Sequence, residues 1–198
     1  YRKIKFIHSP RSSFVNFLFS ILNVINSILH VDKNHVYECI NELSKLQKCI
    51  SSQNLSDSNL AIDLANFISD IPLIYYPHGL QSSAIRFKSS LQENAKKHVI
   101  IEDVVEACHN GIVAWEKPSL IQPVLLRGFD DYIKTKERFE IIKEYFTENN
   151  IQYKEIQSIS GNILTKMITL IYLLDYTSIY KSLLLKIDPS PVHSIEFI

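Results

Sequence analysis

At 198 residues the chain is long enough to bury the core of one domain with two or three layers. Hydrophobic residues make up 46% and charged residues 21%, which is typical of a globular protein. Lysine plus arginine equals aspartate plus glutamate, at 21 each, so no overall field attracts nucleic acid or a membrane surface. We therefore expect neither as a partner.

Three cysteines, Cys39, Cys49 and Cys108, lack metal-ligand spacing. They favour a reducing, cytoplasmic compartment and a role as small core residues. The opening YRKIKFIHSP is too polar for a signal peptide. Because the chain starts abruptly and without methionine, we expect it to be a fragment of a longer polypeptide.

Residues 1–70 are predicted to form a helical lead-in. The apolar stretch 14–31 is interrupted by three asparagines, which indicates a buried or subunit-facing helix rather than a membrane span. A second amphipathic helix is predicted over 34–50 with Asn34 as its N-cap, and a third over 59–70, capped by Asp57 or Ser58.

From residue 71 onward, short apolar runs alternate with helical patterns. Strands are predicted at 71–76, 98–101, 121–128, 151–158 and 193–198, with helices at 80–97, from 102, at 130–150 (capped by aspartate) and at 161–186. This order predicts an α/β fold: a doubly wound, mostly parallel five-stranded sheet flanked by helices over 71–198. Such sheets bind ligands beyond the carboxyl ends of their strands, which here are the segments 77–84, 102–110 and 127–131.

Glu93 and His109 are the first candidates for chemistry. Glu93 stands among small polar residues near a helix end, and the plain alternative is a solvated glutamate. His109, in the segment EACHNG, is equally readable as a helix-capping or core histidine, although histidine is the side chain best suited to move a proton near neutral pH.

Arg11 is a candidate anion contact, because SPRSS precedes a helix whose free N–H groups favour phosphate. The alternative is a plain N-cap with a solvated arginine. Arg86 and Arg127 are weaker candidates. With four glycines in the chain, neither a Walker-type loop nor a dinucleotide glycine pattern is present.

The order of several motifs resembles the C-terminal half of the archaeal bifunctional phosphoglucose/phosphomannose isomerases, which consist of two sugar isomerase (SIS) domains. The resemblance covers nearly the whole chain and rests on the following segments: SPRSS, PLIYY, SAIRFKSSLQENAK, EACHNGIVAWE, PVLLRGFDD and LIYLLDYTSIYKSLLLKIDPSPVHSIEFI. The pair ENAK and HN and the ending YLLDYTSIY…DPSPV are its most specific parts.

This resemblance implies roles for four residues. Glu93 matches the glutamate that moves a proton between the first two carbons of the open-chain sugar. His109 matches a histidine that the partner subunit of a dimer contributes for ring opening. Arg11 resembles an arginine near the phosphate or the enediolate, and Ser190 stands where a hydroxyl residue lines the pocket.

The implied reaction interconverts glucose 6-phosphate, and mannose 6-phosphate, with fructose 6-phosphate through a cis-enediol. A carboxylate poised by partial burial can take the proton from carbon 2 and return it to carbon 1 without a metal or cofactor. A nearby cation stabilises the negative charge of the intermediate. The resemblance therefore implies a metal-free, dimeric, cytoplasmic isomerase.

A non-catalytic SIS-like module that binds a sugar phosphate or a partner is the alternative. Two departures from the family pattern favour it: Gly111 stands where a glutamate commonly follows histidine and asparagine, and no lysine is found near the C-terminus. In addition, the first SIS domain, whose serine- and threonine-rich loops hold the sugar phosphate, is not visible in this chain.

Overall fold

The computed structural model describes residue 4 and residues 9–198, except the side chain of Glu196. The polar opening that we interpret as unlike a signal peptide therefore lies almost entirely outside the described residues. Within them, no helix combines the length and apolarity that a membrane span requires.

The described elements follow the predicted order closely. The helices are α1 (Phe14–Val24), α2 (Lys33–Ile50), α3 (Leu60–Phe67), α4 (Gln81–Ala95), α5 (Val104–Ala107), α6 (Ile133–Glu148), α7 (Ile163–Leu184) and α8 (His193–Phe197). The strands are β1 (Ile71–Tyr76), β2 (Ile100–Asp103), β3 (Ile121–Arg127) and β4 (Lys154–Gln157), and a 3₁₀ helix spans Gly111–Glu116.

The sheet has four parallel strands in the order β2-β1-β3-β4. Alternate side chains of β1 point to opposite faces: Ile74 packs in the cluster that includes α3, α4 and α7, and Tyr75 packs in the cluster that includes α5 and α6. Both faces are thus covered by helices, which confirms the doubly wound α/β prediction.

The predicted fifth strand is wrong. Residues His193–Phe197 form the short helix α8. The alternating pattern of this segment would require a strand partner, but Ile195 and Phe197 remain exposed instead of joining a sheet face. One arginine and one lysine side chain hold the preceding residues 189–191 against the end of α4, as described below.

Three predicted caps are also wrong, although each helix lies close to its predicted place. The cap of α2 is Asp32, whose carboxylate accepts from the backbone N–H of Asn34 at 2.8 Å. The cap of α3 is the buried Asn59, which accepts from two N–H groups of the first turn. Asp131 accepts from the N–H of Gly128 instead of capping α6. Several polar side chains near a helix start can accept from the same free backbone N–H groups, and the backbone conformation decides which of them does so.

Helix α7 is the central helix of one layer. It has buried residues on most of its surface, as expected of a helix covered on several sides. Helix α1 is the opposite case: it is strongly apolar, yet it contains no buried residue. The expectation that α1 is buried in the domain is therefore wrong, and that it faces another subunit stays a prediction.

Candidate active site

Glu93 lies in the last turn of α4, and its side chain is 34% exposed. Its Oε2 atom is 3.1 Å from Nε of Arg11, which forms an ion pair. Because α4 starts after the carboxyl end of β1 and leads to the start of β2, Glu93 lies at the amino edge of the sheet. This is opposite to the edge at which the sheet rule predicts chemistry.

Arg11 is the centre of the polar cluster around Glu93. Its guanidinium donates to Oδ1 of Asn94 at 2.8 Å, to the carbonyl of Pro189 at 3.0 Å and to the carbonyl of Ser190 at 2.9 Å. With the Glu93 ion pair, these contacts engage four of its five N–H donors. In this arrangement Arg11 orients the Glu93 carboxylate, and among the described residues its fifth N–H has no hydrogen-bond partner.

Asn94 was not predicted from the sequence, although it directly follows Glu93 in the ENAK motif. Its Oδ1 atom accepts from Arg11, and its amide donates to Oγ of Ser178 at 2.8 Å. Asn94 therefore connects Arg11 to α7. The adjacency to Glu93 is the one signal that pointed to it.

Ser190 takes part through its backbone. Its carbonyl accepts from Arg11, while its N–H donates to Asp188 at 2.8 Å. Hydrogen bonds from Ser190 lower the pKa of Asp188 below its ordinary value. Lys96 adds a second tie, because its ammonium group donates to the carbonyls of Glu93 and Pro191.

A cleft of about 560 Å³ opens beside this cluster. Arg11, Asn94 and Ser190 form its polar corner, and apolar side chains of α2 and α7 such as Leu43 and Ile171 form its walls. The volume suits a small ligand.

The weaker anion candidates are both occupied by carboxylates. Arg86 pairs with Asp175 at 2.8 Å. Arg127 contacts Glu140 at 3.1 Å and Glu155 at 3.3 Å, and its guanidinium lies 4.6 Å from the ring centre of Phe139. Neither arginine presents a free cation to a ligand in this arrangement.

His109 lies at the other edge of the sheet, after β2 and α5, and its side chain is exposed. The turn that carries it is fixed at both ends. On one side, Val104 and Ala107 are buried. On the other, Nε1 of Trp115 donates to the Tyr75 hydroxyl at 2.9 Å, and its ring packs edge-on against Phe146. The His109 side chain is thus exposed on a turn that is anchored on both sides.

Glu102 and Gly111 meet beside the His109 turn. A Cβ atom on Gly111 would lie 2.7 Å from a carboxylate oxygen of Glu102, so a side chain here requires that Glu102 moves. Burial, reinforced by nearby Glu106, raises the pKa of Glu102 above its ordinary value. Glu102 was not singled out from the sequence, where it reads as the start of a short helix.

No group of three or more histidine, cysteine, aspartate or glutamate side chains suited to a metal occurs in the described part of the chain. Cys39 is buried, and burial raises the pKa of its thiol to about 11. That agrees with a small core residue. Cys49 is exposed, however, so the core prediction is wrong for that thiol.

Residues 57–198 match the model of a protein family described as bacterial phospho-glucose isomerase C-terminal SIS domain. The chain belongs to this family. That assignment agrees with the resemblance inferred from the motifs.

The curated relatives bear one common name. The chain is 30% identical over 171 residues to a bifunctional phosphoglucose/phosphomannose isomerase of Caldicellulosiruptor bescii, covering 83% of this chain and 50% of that protein. It is 26% identical to a protein of the same name from Aquifex aeolicus, covering 94% and 56%. The chain thus spans about half the length of these relatives.

Among solved structures, the chain is similar to a glucose-6-phosphate isomerase like protein from Thermus thermophilus, with a TM-score of 0.67 and 18% identity. The match covers 81% of this chain and 55% of that chain. At this identity the likeness shows the fold alone, and it confirms the SIS-type sheet.

Proposed function

We propose that this chain carries the catalytic base of an aldose–ketose isomerase that interconverts glucose 6-phosphate and mannose 6-phosphate with fructose 6-phosphate. The observation that carries the proposal is the ion pair between Glu93 and Arg11, because Arg11 also lines the polar corner of a ligand-sized cleft. Membership of the phospho-glucose isomerase family and the names of the relatives support the same reaction.

In the proposed mechanism, the Glu93 carboxylate takes the proton from carbon 2 of the open-chain sugar and returns it to carbon 1. Its partial exposure leaves room for a substrate to approach, and Arg11 holds it in one orientation. When substrate binds, the Arg11 guanidinium donates a hydrogen bond to the developing enediolate oxygen. Because the enediol is planar at carbon 2, one pocket serves both epimers.

His109 is proposed to act on the sugar ring from a second copy of the chain in a homodimer. Two observations support this. Glu93 and His109 belong to opposite edges of one sheet, and His109 is exposed on a turn that its own chain braces from behind. A site that uses both residues therefore requires a partner whose His109 turn faces the Glu93 cluster.

The domain boundaries remain part of the proposal. Residues 1–70 would be a helical lead-in and 71–198 the sheet core of a C-terminal SIS domain, within a polypeptide whose other SIS domain holds the sugar phosphate. A cytoplasmic setting is also proposed, supported by three free cysteines in the described part of the chain.

The test is a coupled assay of fructose 6-phosphate formation from glucose 6-phosphate and from mannose 6-phosphate, using the complete polypeptide. Glu93→Gln should lower kcat by roughly 10²–10⁴-fold while the substrate still binds, because it removes the base and keeps the shape. Glu137→Gln, an exposed glutamate on α6, is the matched control and should leave kcat unchanged. Full turnover by Glu93→Gln would exclude Glu93 as the base.

The second candidate is a non-catalytic module that binds a sugar phosphate. Gly111 favours it, since position 111 carries no carboxylate and the space beside it is filled by Glu102 of β2. In that case the complete wild-type polypeptide would bind the sugar phosphate without isomerising it, and Glu93→Gln would leave its affinity unchanged.

A further inference from the structure

We propose that Arg86 and Asp175 form a positioning pair that holds Arg11, and through Arg11 the base Glu93, in its productive orientation. This inference rests on the proposed isomerase function. The pair belongs to α4 and α7 and lines the wall of the cleft, where its two opposite charges neutralise each other.

The pair is a close, two-pronged contact. Nε of Arg86 donates to the Asp175 carboxylate at 3.1 Å and Nη2 donates at 2.8 Å, which is the fork geometry that restrains both side chains. Ser90, one turn along α4, donates to the same carboxylate at 2.6 Å. With 19% and 27% exposure, the two charged side chains are mostly shielded from water.

The pair extends to the segment that carries Arg11. Nη2 of Arg86 also donates to the backbone carbonyl of Arg11 at 3.1 Å, and the Arg86 guanidinium lies 4.9 Å from the ring centre of Phe14. The helix that follows, α1, contains no buried residue. The Arg11 backbone is therefore held by this polar anchor together with the buried Ser13, which precedes α1.

The same turn of α7 also orients the side chain of Arg11. Oγ of Ser178 donates to the carbonyl of Asp175 and accepts from Asn94, which in turn accepts from the guanidinium of Arg11. Arg11 is thus held by its carbonyl through Arg86 and by its guanidinium through Asn94. A shift of Asp175 would displace both supports together.

A contribution to stability alone would be a weak reason for this arrangement. Partly buried ion pairs lose much of their Coulomb energy to desolvation, so their net effect on the free energy of unfolding is small. Displacement of a base by about 1 Å, in contrast, costs on the order of 10²-fold in rate. The pair should therefore act mainly on kcat.

The experiment is a double-mutant cycle in the complete polypeptide, measured under single-turnover conditions so that slow variants remain quantifiable. Asp175→Asn should lower the rate by roughly 10–100-fold with KM changed less than about twofold. In the Arg11→Ala background, Asp175→Asn should change the rate less than about twofold, because Arg11 is no longer there to be positioned. Asp175→Glu should recover part of the loss.

Asp130→Asn is the matched control. Asp130 pairs with Lys166, which lies near the start of α7, whereas Asp175 lies in the middle of that helix. This control variant should keep the wild-type rate. Arg86→Lys, which keeps the charge without the fork, is the second variant if Asp175→Asn fails to fold, and it should show the same non-additivity with Arg11→Ala.

Additive effects of Asp175→Asn and Arg11→Ala, or an unchanged rate in folded Asp175→Asn, would overturn the inference. Either result is distinct from failure of the proposed function. If the proposed function itself fails, the wild-type polypeptide does not isomerise the sugar phosphate, or Glu93→Gln remains active.

Discussion

The two regions proposed to share one reaction are built in opposite ways. Around Glu93, polar groups from both ends of the chain and from two helices converge, so that the carboxylate is held by its own chain. Around His109, the side chain points outward and only the backbone behind it is anchored, through Trp115 and the buried residues of α5.

This difference has a physical reason. A base that must transfer a proton between neighbouring carbons needs a fixed orientation, which a network of hydrogen bonds supplies. A residue that acts on another subunit must instead protrude, and it needs rigidity behind it rather than partners around it. In the proposed dimer, the Glu93 cluster of one copy would accept the His109 turn of the other.

Mixing two inactive variants is the most direct test of this contrast and should give the largest effect. We expect Glu93→Gln and His109→Asn each to lower kcat by roughly 100-fold or more. When the two complete polypeptides are unfolded and refolded together, about a quarter of the wild-type activity should return, because half of the dimers are mixed and each has one intact site.

The control for that experiment is each variant refolded with itself, which should stay inactive. If the mixture also stays inactive although mixed dimers form, Glu93 and His109 act within one chain. The assignment of separate roles to the two regions would then be wrong.

The next largest effect should follow a glutamate at position 111. Gly111→Glu places a new side chain where the Glu102 carboxylate lies and adds a second negative charge beside it. We expect the free energy of unfolding to fall by about 1–3 kcal/mol, measured by urea denaturation. Gly111→Gln is the matched control for charge and should cost less. Equal losses for both would show that shape alone matters at this contact.

A smaller effect should follow loss of the hydrogen bond that braces the His109 turn. Trp115→Phe removes the contact to the Tyr75 hydroxyl and keeps an aromatic ring against Phe146. The free energy of unfolding should fall by about 1 kcal/mol. Tyr75→Phe removes the same bond, so the double variant should be less destabilised than the sum of the single ones. Strict additivity would mean that the bond contributes nothing.

The smallest effect concerns pH. Because burial and Glu106 raise the pKa of Glu102, the folded state binds this proton more tightly than the unfolded chain does. The stability that the bound proton contributes is present in full below the pKa of an unfolded glutamate, and it is lost as the pH rises through the pKa of Glu102 in the folded state. Glu102→Gln should be more stable than wild type at neutral pH, and the gain should vanish below about pH 4, near the pKa of an unfolded glutamate.

Thermal denaturation between pH 4 and pH 8 measures that difference. The exposed Glu116→Gln variant is its control and should follow the wild-type curve. A gain for Glu102→Gln that does not change with pH would contradict a raised pKa.

Local pattern was sufficient for much of the fold. The apolar run 71–76 and the helical run before Glu93 carry their structure in neighbouring residues, so both were predictable. The segment 193–198 shows the limit of this approach. It alternates like a strand, but a strand exists only where another backbone is available to pair with it.

The site divides in the same way. Glu93 and His109 stand in short motifs, so the sequence and its resemblance to a family were enough to single them out. Asn94, Glu102 and the pair Arg86–Asp175 were missed or assigned another role, because their importance comes from partners on other elements. The hydrogen bond from Arg11 to Asn94 joins residues 83 positions apart.

The sequence by itself therefore determined the α/β class, the order of strands and helices as far as α7 and two residues suited to proton transfer, because these depend on local periodicity and on side-chain chemistry. Only the tertiary structure decided that Glu93 forms an ion pair with Arg11 while His109 is exposed at the opposite edge of the sheet. Such contacts depend on how α4, α7 and the two ends of the chain pack together, which no local pattern specifies.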